Sequence, residues 1–127
     1  MKVLLDTHLM IWWQLAHPRL PAALPDLLAQ AESIYFSRAS LWEMAIKHSL
    51  GRLDVDLARF AAEVERQGFQ WLDIRNEHLL TVARLPQRDD HRDPFDRLLV
   101  AQSMAEPLIL LTADAALGPY GSTVRVI

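Results

Sequence analysis

Cysteine is absent from this chain of 127 residues. That excludes disulfides, thiolate metal sites and cysteine nucleophiles, and it fits a cytoplasmic protein. Long apolar runs are lacking as well. The longest, Leu9–Trp13 and Pro107–Leu111, are far too short to cross a bilayer. No membrane association is expected. The N-terminus has neither an extended apolar core nor a small-residue cleavage site before Asp6, so no targeting segment is expected either. Excess positive charge is also missing. A net charge of −3 argues against a broad phosphate-binding surface. Contact with nucleic acid should therefore be local, or depend on bound cations.

What is present describes an ordinary globular domain, 51% hydrophobic and 23% charged. Without repeats or linkers, residues 1–127 read as one domain with a single core. Lys2–Leu5 reads as a buried strand, Leu9–Leu15 as an apolar helix and Pro21–Ala31 as a second helix. Ile34–Phe36 reads as a strand, followed by a Ser37–Ser40 turn. The next helix, Leu41–Leu50, is amphipathic, with Leu41 and Ala45, joined by Met44 and His48, spaced for one face, and with Gly51 at its C′ position. Further helices are expected over Leu57–Arg66, Asn76–Leu85 and Asp93 to Met104, with a short turn at Ala113–Leu117. Strands are expected over Phe69–Ile74, Pro107–Leu111 and Thr123–Ile127. Alternating strands and helices imply an α/β fold, with a parallel sheet covered on both faces.

Acids punctuate this pattern. Asp6 ends the first strand, and Asp114 follows the fourth. Glu43 lies early in the helix after the second strand, and Asp96 early in the helix before the fourth. Strand ends and helix starts on one edge of a parallel sheet point the same way, and that edge is where such folds bind ligands. Carboxylates gathered there repel unless protonated or neutralised by a cation. Hard oxygen donors of this kind suit Mg²⁺ or Mn²⁺.

Three of these acids also have a purely local reading. Ser40-Leu41-Trp42-Glu43 fits the S-x-x-E capping box. Asp93 reads as an N-cap with Pro94 at N1 and Asp96 favouring the helix dipole. Thr112 reads as a cap for the turn that holds Asp114. Asp6 has no obvious capping role beyond the neighbouring Thr7. The five histidines show no metal-ligand spacing such as H-E-x-x-H. His48 reads as structural or surface. His91 either faces the site or is a solvated loop residue. Trp12, Trp13, Trp42 and Trp71 are candidates for base stacking, although Trp12 and Trp42 sit in helices where packing is the simpler role. Arg38, Lys47 and Arg52 flank Glu43, and Arg88, Arg92 and Arg97 flank Asp93 and Asp96. They read as phosphate contacts or as ion-pair partners of nearby acids.

The blocks Leu4-Leu5-Asp6-Thr7-His8, Ser37-Arg38-Ala39-Ser40-Leu41-Trp42-Glu43, His91-Arg92-Asp93-Pro94-Phe95-Asp96-Arg97 and Leu111-Thr112-Ala113-Asp114 resemble the PIN domain. More narrowly, they resemble the VapC-type toxins of type II toxin–antitoxin pairs. The resemblance covers essentially the whole chain. It implies a three-layer α/β/α sandwich around a parallel sheet of about five strands. It implies Mg²⁺- or Mn²⁺-dependent endoribonuclease activity, with Asp6, Glu43, Asp96 and Asp114 as the catalytic and metal-binding acids. Thr112 and Thr7 would support them. Asp93 would either bind metal or only cap its helix. Arg38, Lys47, Arg92 and Arg97 are the RNA-binding candidates. A homodimer and a small antitoxin partner are implied as well.

Two other functions compete. Phosphatases that form an aspartyl-phosphate place a second Asp two residues after the nucleophile, and here His8 stands there. A catalytically silent PIN-like module that only binds RNA or protein would not need the intact acid set.

Overall fold

The computed structural model describes residues 1–90 and 92–127. His91, singled out above, lies outside the described residues. Five strands form one sheet: β1 (Lys2–Leu5), β2 (Ser33–Ser37), β3 (Gln70–Leu72), β4 (Ile109–Thr112) and β5 (Val124–Val126). Their order is β3-β2-β1-β4-β5, and every pairing is parallel. Helices α1 (Thr7–Leu15), α2 (Leu24–Gln30), α3 (Arg38–Ser49), α4 (Leu57–Arg66), α5 (Asn76–Arg84) and α6 (Pro94–Ala105) supply the connections. A 3-10 helix over Ala115–Tyr120 joins β4 to β5.

The sheet is buried on both faces because successive residues of its central strands, Val3-Leu4-Leu5 and Ile109-Leu110-Leu111, are apolar, so both side-chain directions must be covered. Val3 and Leu5 pack on one side with Leu9, Met10, Leu24, Met44, Phe60 and Val64. Leu4, between them, points the other way and packs with Leu99, Val100 and Ala101 of α6, and with Leu110. The expected α/β sandwich is thus present.

The chain builds β1, β2 and β3 outward in one direction, then returns to place β4 on the other side of β1. The strand order thus reverses between β1 and β4, and the carboxyl ends of strands at such a point are the usual ligand position in open α/β sheets. The Asp6 N–H donates to the Leu111 carbonyl at 3.0 Å, holding the two strand ends together.

Several expected boundaries move, each for a local reason. Residues 37–40 do not form a free turn. Ser37 ends β2 and also caps α3, its hydroxyl accepting the Ala39 N–H at 3.0 Å. With α3 starting at Arg38, its buried face is Ala39, Ser40, Glu43 and Met44, while Leu41 and Ala45 are only partly buried. His48 is exposed, with its Nδ1 3.0 Å from the Leu53 carbonyl. Helix α2 begins only at Leu24, with Pro25 in its first turn. Gly51 takes the left-handed C′ position, φ 72°, as expected.

Candidate metal centre

Each acid is placed by a cap or an early helical turn. Asp6 follows β1 and is the N-cap of α1. Its Oδ1 accepts the His8 N–H at 2.8 Å. This is a correction: the acid without an evident capping role caps a helix directly. Its other oxygen, Oδ2, accepts the Thr112 hydroxyl at 2.6 Å. Thr112 Oγ1 in turn accepts the Asp114 N–H at 3.0 Å. Thr112 therefore ties the end of β1 to the turn that carries Asp114. It does not cap the 3-10 helix. Asp114 does so itself, its Oδ1 accepting the Ala116 N–H at 2.9 Å.

Glu43 changes in the opposite sense. Because Ser37 is the N-cap of α3, Glu43 sits in the second turn and closes no capping box. Glu43 is buried, with Ala39, Ser40 and Met44 of the same helix. Lys47, one turn on, donates to its Oε2 at 2.9 Å. Among the described residues, its Oε1 is buried with no hydrogen-bond partner. Burying a carboxylate oxygen unbonded is costly. Ser40, on the same face, accepts a hydrogen bond from the Thr7 hydroxyl at 2.7 Å, joining α1 to α3 beside Asp6. Sequence reasoning assigned Ser40 to a cap and missed this tie. Its spacing of three from Glu43 was the available signal, since residues three apart share a helix face.

Asp93 caps α6, accepting the Phe95 and Asp96 N–H groups at 2.9 and 3.1 Å. Asp96 occupies the first turn of α6. Burial, followed by repulsion from Asp93, Asp6, Glu43 and Asp114, pushes its carboxyl up to about 8. The acids named from the sequence thus share one electrostatic field. Asp6 is raised too, chiefly by burial, with the Thr112 and His8 bonds opposing the shift.

The cations are divided. Arg38 is half exposed, stacked over the Trp71 ring at 4.7 Å and bonded to Asp73 at 2.7 Å. Arg92 is exposed and pairs with Asp89. Arg97, read as a phosphate contact, is instead buried. Its guanidinium donates to the Pro86 carbonyl at 2.8 Å, the Tyr120 hydroxyl at 3.1 Å and the Leu85 carbonyl at 3.5 Å. Both terminal nitrogens of its guanidinium are thus engaged inside the fold. Trp12, Trp13 and Trp71 are half-buried against the core. Trp42 is 57% exposed and meets Phe95 edge-on at 5.0 Å.

A cation fits this donor set. The donors are hard oxygens, the neighbouring acids raise the proton affinity of Asp96, and a buried Glu43 oxygen lacks a partner among the described residues. A separate group, Glu77, His78 and Glu106, brings one ligand atom from each residue to within 4.8 Å of the others. Both nitrogens of its imidazole are already engaged. His78 Nδ1 accepts the Arg75 N–H at 3.0 Å, and Nε2 meets Glu106 Oε2 at 2.6 Å.

Fold and site together define a class: a parallel α/β protein that gathers carboxylates where its strand order reverses. The family model of the PIN domain matches residues 3–119. The chain belongs to the PIN domain family. Among solved structures it is similar to VapBC2 from Rickettsia felis bound to a DNA fragment from their promoter. The TM-score is 0.70 at 16% identity, covering 100% of this chain and 98% of that one. It is also similar to a toxin–antitoxin complex from Klebsiella pneumoniae (TM-score 0.68, 18% identity, 98% and 96% covered). DNA-bound VapBC from Salmonella typhimurium gives 0.68 at 18% identity, with 100% and 97% covered. No curated protein matches the chain by sequence. None of the described helices is long and apolar enough to cross a membrane.

Proposed function

We propose that this protein is a Mg²⁺- or Mn²⁺-dependent endoribonuclease, the toxin of a toxin–antitoxin pair, with residues 1–127 as its single nuclease domain. The observation that carries the reading is the crowding of carboxylates around Asp96: Asp6 and Glu43 are buried, and Asp93 and Asp114 also act on its charge. That arrangement stores an unfavourable charge which a divalent cation relieves.

Phosphodiester hydrolysis requires charge neutralisation on the phosphate and an activated water, and a bound divalent ion supplies both. Asp6 and Asp96 are the direct ligands in this reading. Glu43 and Asp114 complete the ligand set or orient the water, and Asp93 acts as a cap. Thr112 holds the Asp6 carboxylate in one orientation, and Thr7 holds α1 against Ser40 of α3. Lys47 offsets the charge of Glu43 and lies ready for a phosphate. Arg38 and Arg92, both exposed, are the remaining phosphate contacts.

The similar toxin–antitoxin complexes support a small antitoxin as partner. A homodimer and a cytoplasmic location belong to the same reading. The test is to incubate the purified protein with total RNA and Mg²⁺ or Mn²⁺, with and without chelator, and to map the cut ends. Chelator-sensitive cleavage at defined positions is expected. RNA that is retained but never cut would leave the binding-module reading in its place.

A further inference from the structure

A strongly buried cation beside the acids, Arg97, has no place in that mechanism. Arg97 is 8% exposed, and its acceptors are two backbone carbonyls and a phenol oxygen, all neutral. Burying a guanidinium against neutral acceptors is costly, and an apolar side chain of similar volume fills such a space more cheaply. Packing alone therefore does not account for it. The planar fork does something an apolar residue does not, since it bonds several separate segments at fixed angles.

The segments it bonds are informative. Arg97 follows Asp96 in the first turn of α6. Leu85 and Pro86 are where the chain leaves α5 toward Asp93. Tyr120 closes the 3-10 helix that Asp114 caps. The Tyr120 ring also lies 5.8 Å from the guanidinium carbons of both Arg88 and Arg97. One side chain thus joins the elements that present Asp96 and Asp114. In the chain these elements lie on either side of β4, α6 before it and the 3-10 helix after it.

We propose that Arg97 is a positioning residue for the carboxylate site, setting Asp96 against Asp114 by clamping the α6 start to the α5 exit and to Tyr120. The inference rests on the metal-site reading above, and its test separates the two. Mn²⁺ affinity is measured by calorimetry on wild type, Arg97→Lys, Tyr120→Phe and Val100→Ala, each first shown to be folded by its thermal melt. Val100 is fully buried in the same helix but outside the clamp, so its variant controls for lost stability. Arg97→Lys is expected to weaken Mn²⁺ binding by roughly 10–100-fold, the usual cost of removing a group that orients ligands. Tyr120→Phe is expected to lose less, and Val100→Ala to bind like wild type. Wild-type affinity in Arg97→Lys overturns the clamp, as does an equal loss in Val100→Ala. A wild-type protein that binds no Mn²⁺ overturns the metal reading instead. Amide hydrogen exchange then decides the clamp alone. Faster exchange in Arg97→Lys confined to residues 85–90 and 115–120 supports it, and unchanged exchange there overturns it.

Discussion

The two ends of α6 carry two clusters of ionisable groups, about 15 Å apart along the helix. At its C-terminal end Glu106 meets His78, and Glu77 lies close enough to complete a trio of ligand atoms. At its N-terminal end Asp96 shares a field with Asp6, Glu43, Asp93 and Asp114. Proximity alone would favour the first as a metal site. There, however, closeness comes from satisfied bonds. Both imidazole nitrogens are engaged, and Glu77 pairs with Arg75 at 3.3 Å. At the other end the groups repel, and one buried oxygen has nothing to bond. Ligand competence follows from unmet bonding capacity more than from short distances.

The largest effect that would test this contrast is on cleavage. Asp6→Asn should reduce RNA cleavage by more than about 100-fold, beyond the usual loss from an outer ligand partner, while circular dichroism shows an intact fold. Glu106→Gln should cut like wild type. An Asp6→Asn protein that cuts at the wild-type rate would break the comparison. Next, Thr112→Val removes only the hydroxyl that orients Asp6 and accepts from Asp114. A drop of about 10–100-fold in metal affinity or activity is expected from titrations and rate assays.

The pH response sharpens the contrast further. Folded Asp96, held near 8, keeps its proton where the unfolded chain has lost it. The folded state therefore binds the extra proton between roughly pH 4 and pH 8, and stability of the metal-free protein falls as pH rises through that window. Thermal melts should show that decline. Added Mn²⁺ should offset it, most strongly at the upper end. In Asp96→Asn the decline should shrink. The smallest effect lies at the other end of α6. His78→Ala leaves Glu106 without its partner and should cost about 1–3 kcal/mol in a urea melt, with Mn²⁺ affinity unchanged.

The acids themselves were legible early, but their local roles were exchanged. Asp6 was read as uncapped and is an N-cap. Glu43 was read as half of a capping box and caps nothing. The reason is one residue of register. Ser37 and Ser40 both suit an N-cap, and only the end of β2 decides that Ser37 takes the role. That shift turns Glu43 and Ser40 inward. Arg97 shows a related limit: a charged residue beside an acidic motif suits a ligand contact, and only the fold places it at 8% exposure.

The sequence by itself determined the alternation of strands and helices, the doubly buried sheet and the placing of acids at strand ends and helix starts. Each of these follows from short-range periodicity and from what a carboxylate does at a helix N-terminus. Only the tertiary structure decided which strand lies beside which. With β4 set against β1, residues 106 apart in the chain, Asp6 and Thr112, come within hydrogen-bond distance. It also decided that Glu43 keeps a bare oxygen and that Arg97 faces inward. Those outcomes depend on which helix faces are pressed against the sheet, and no local pattern encodes the neighbours that press them.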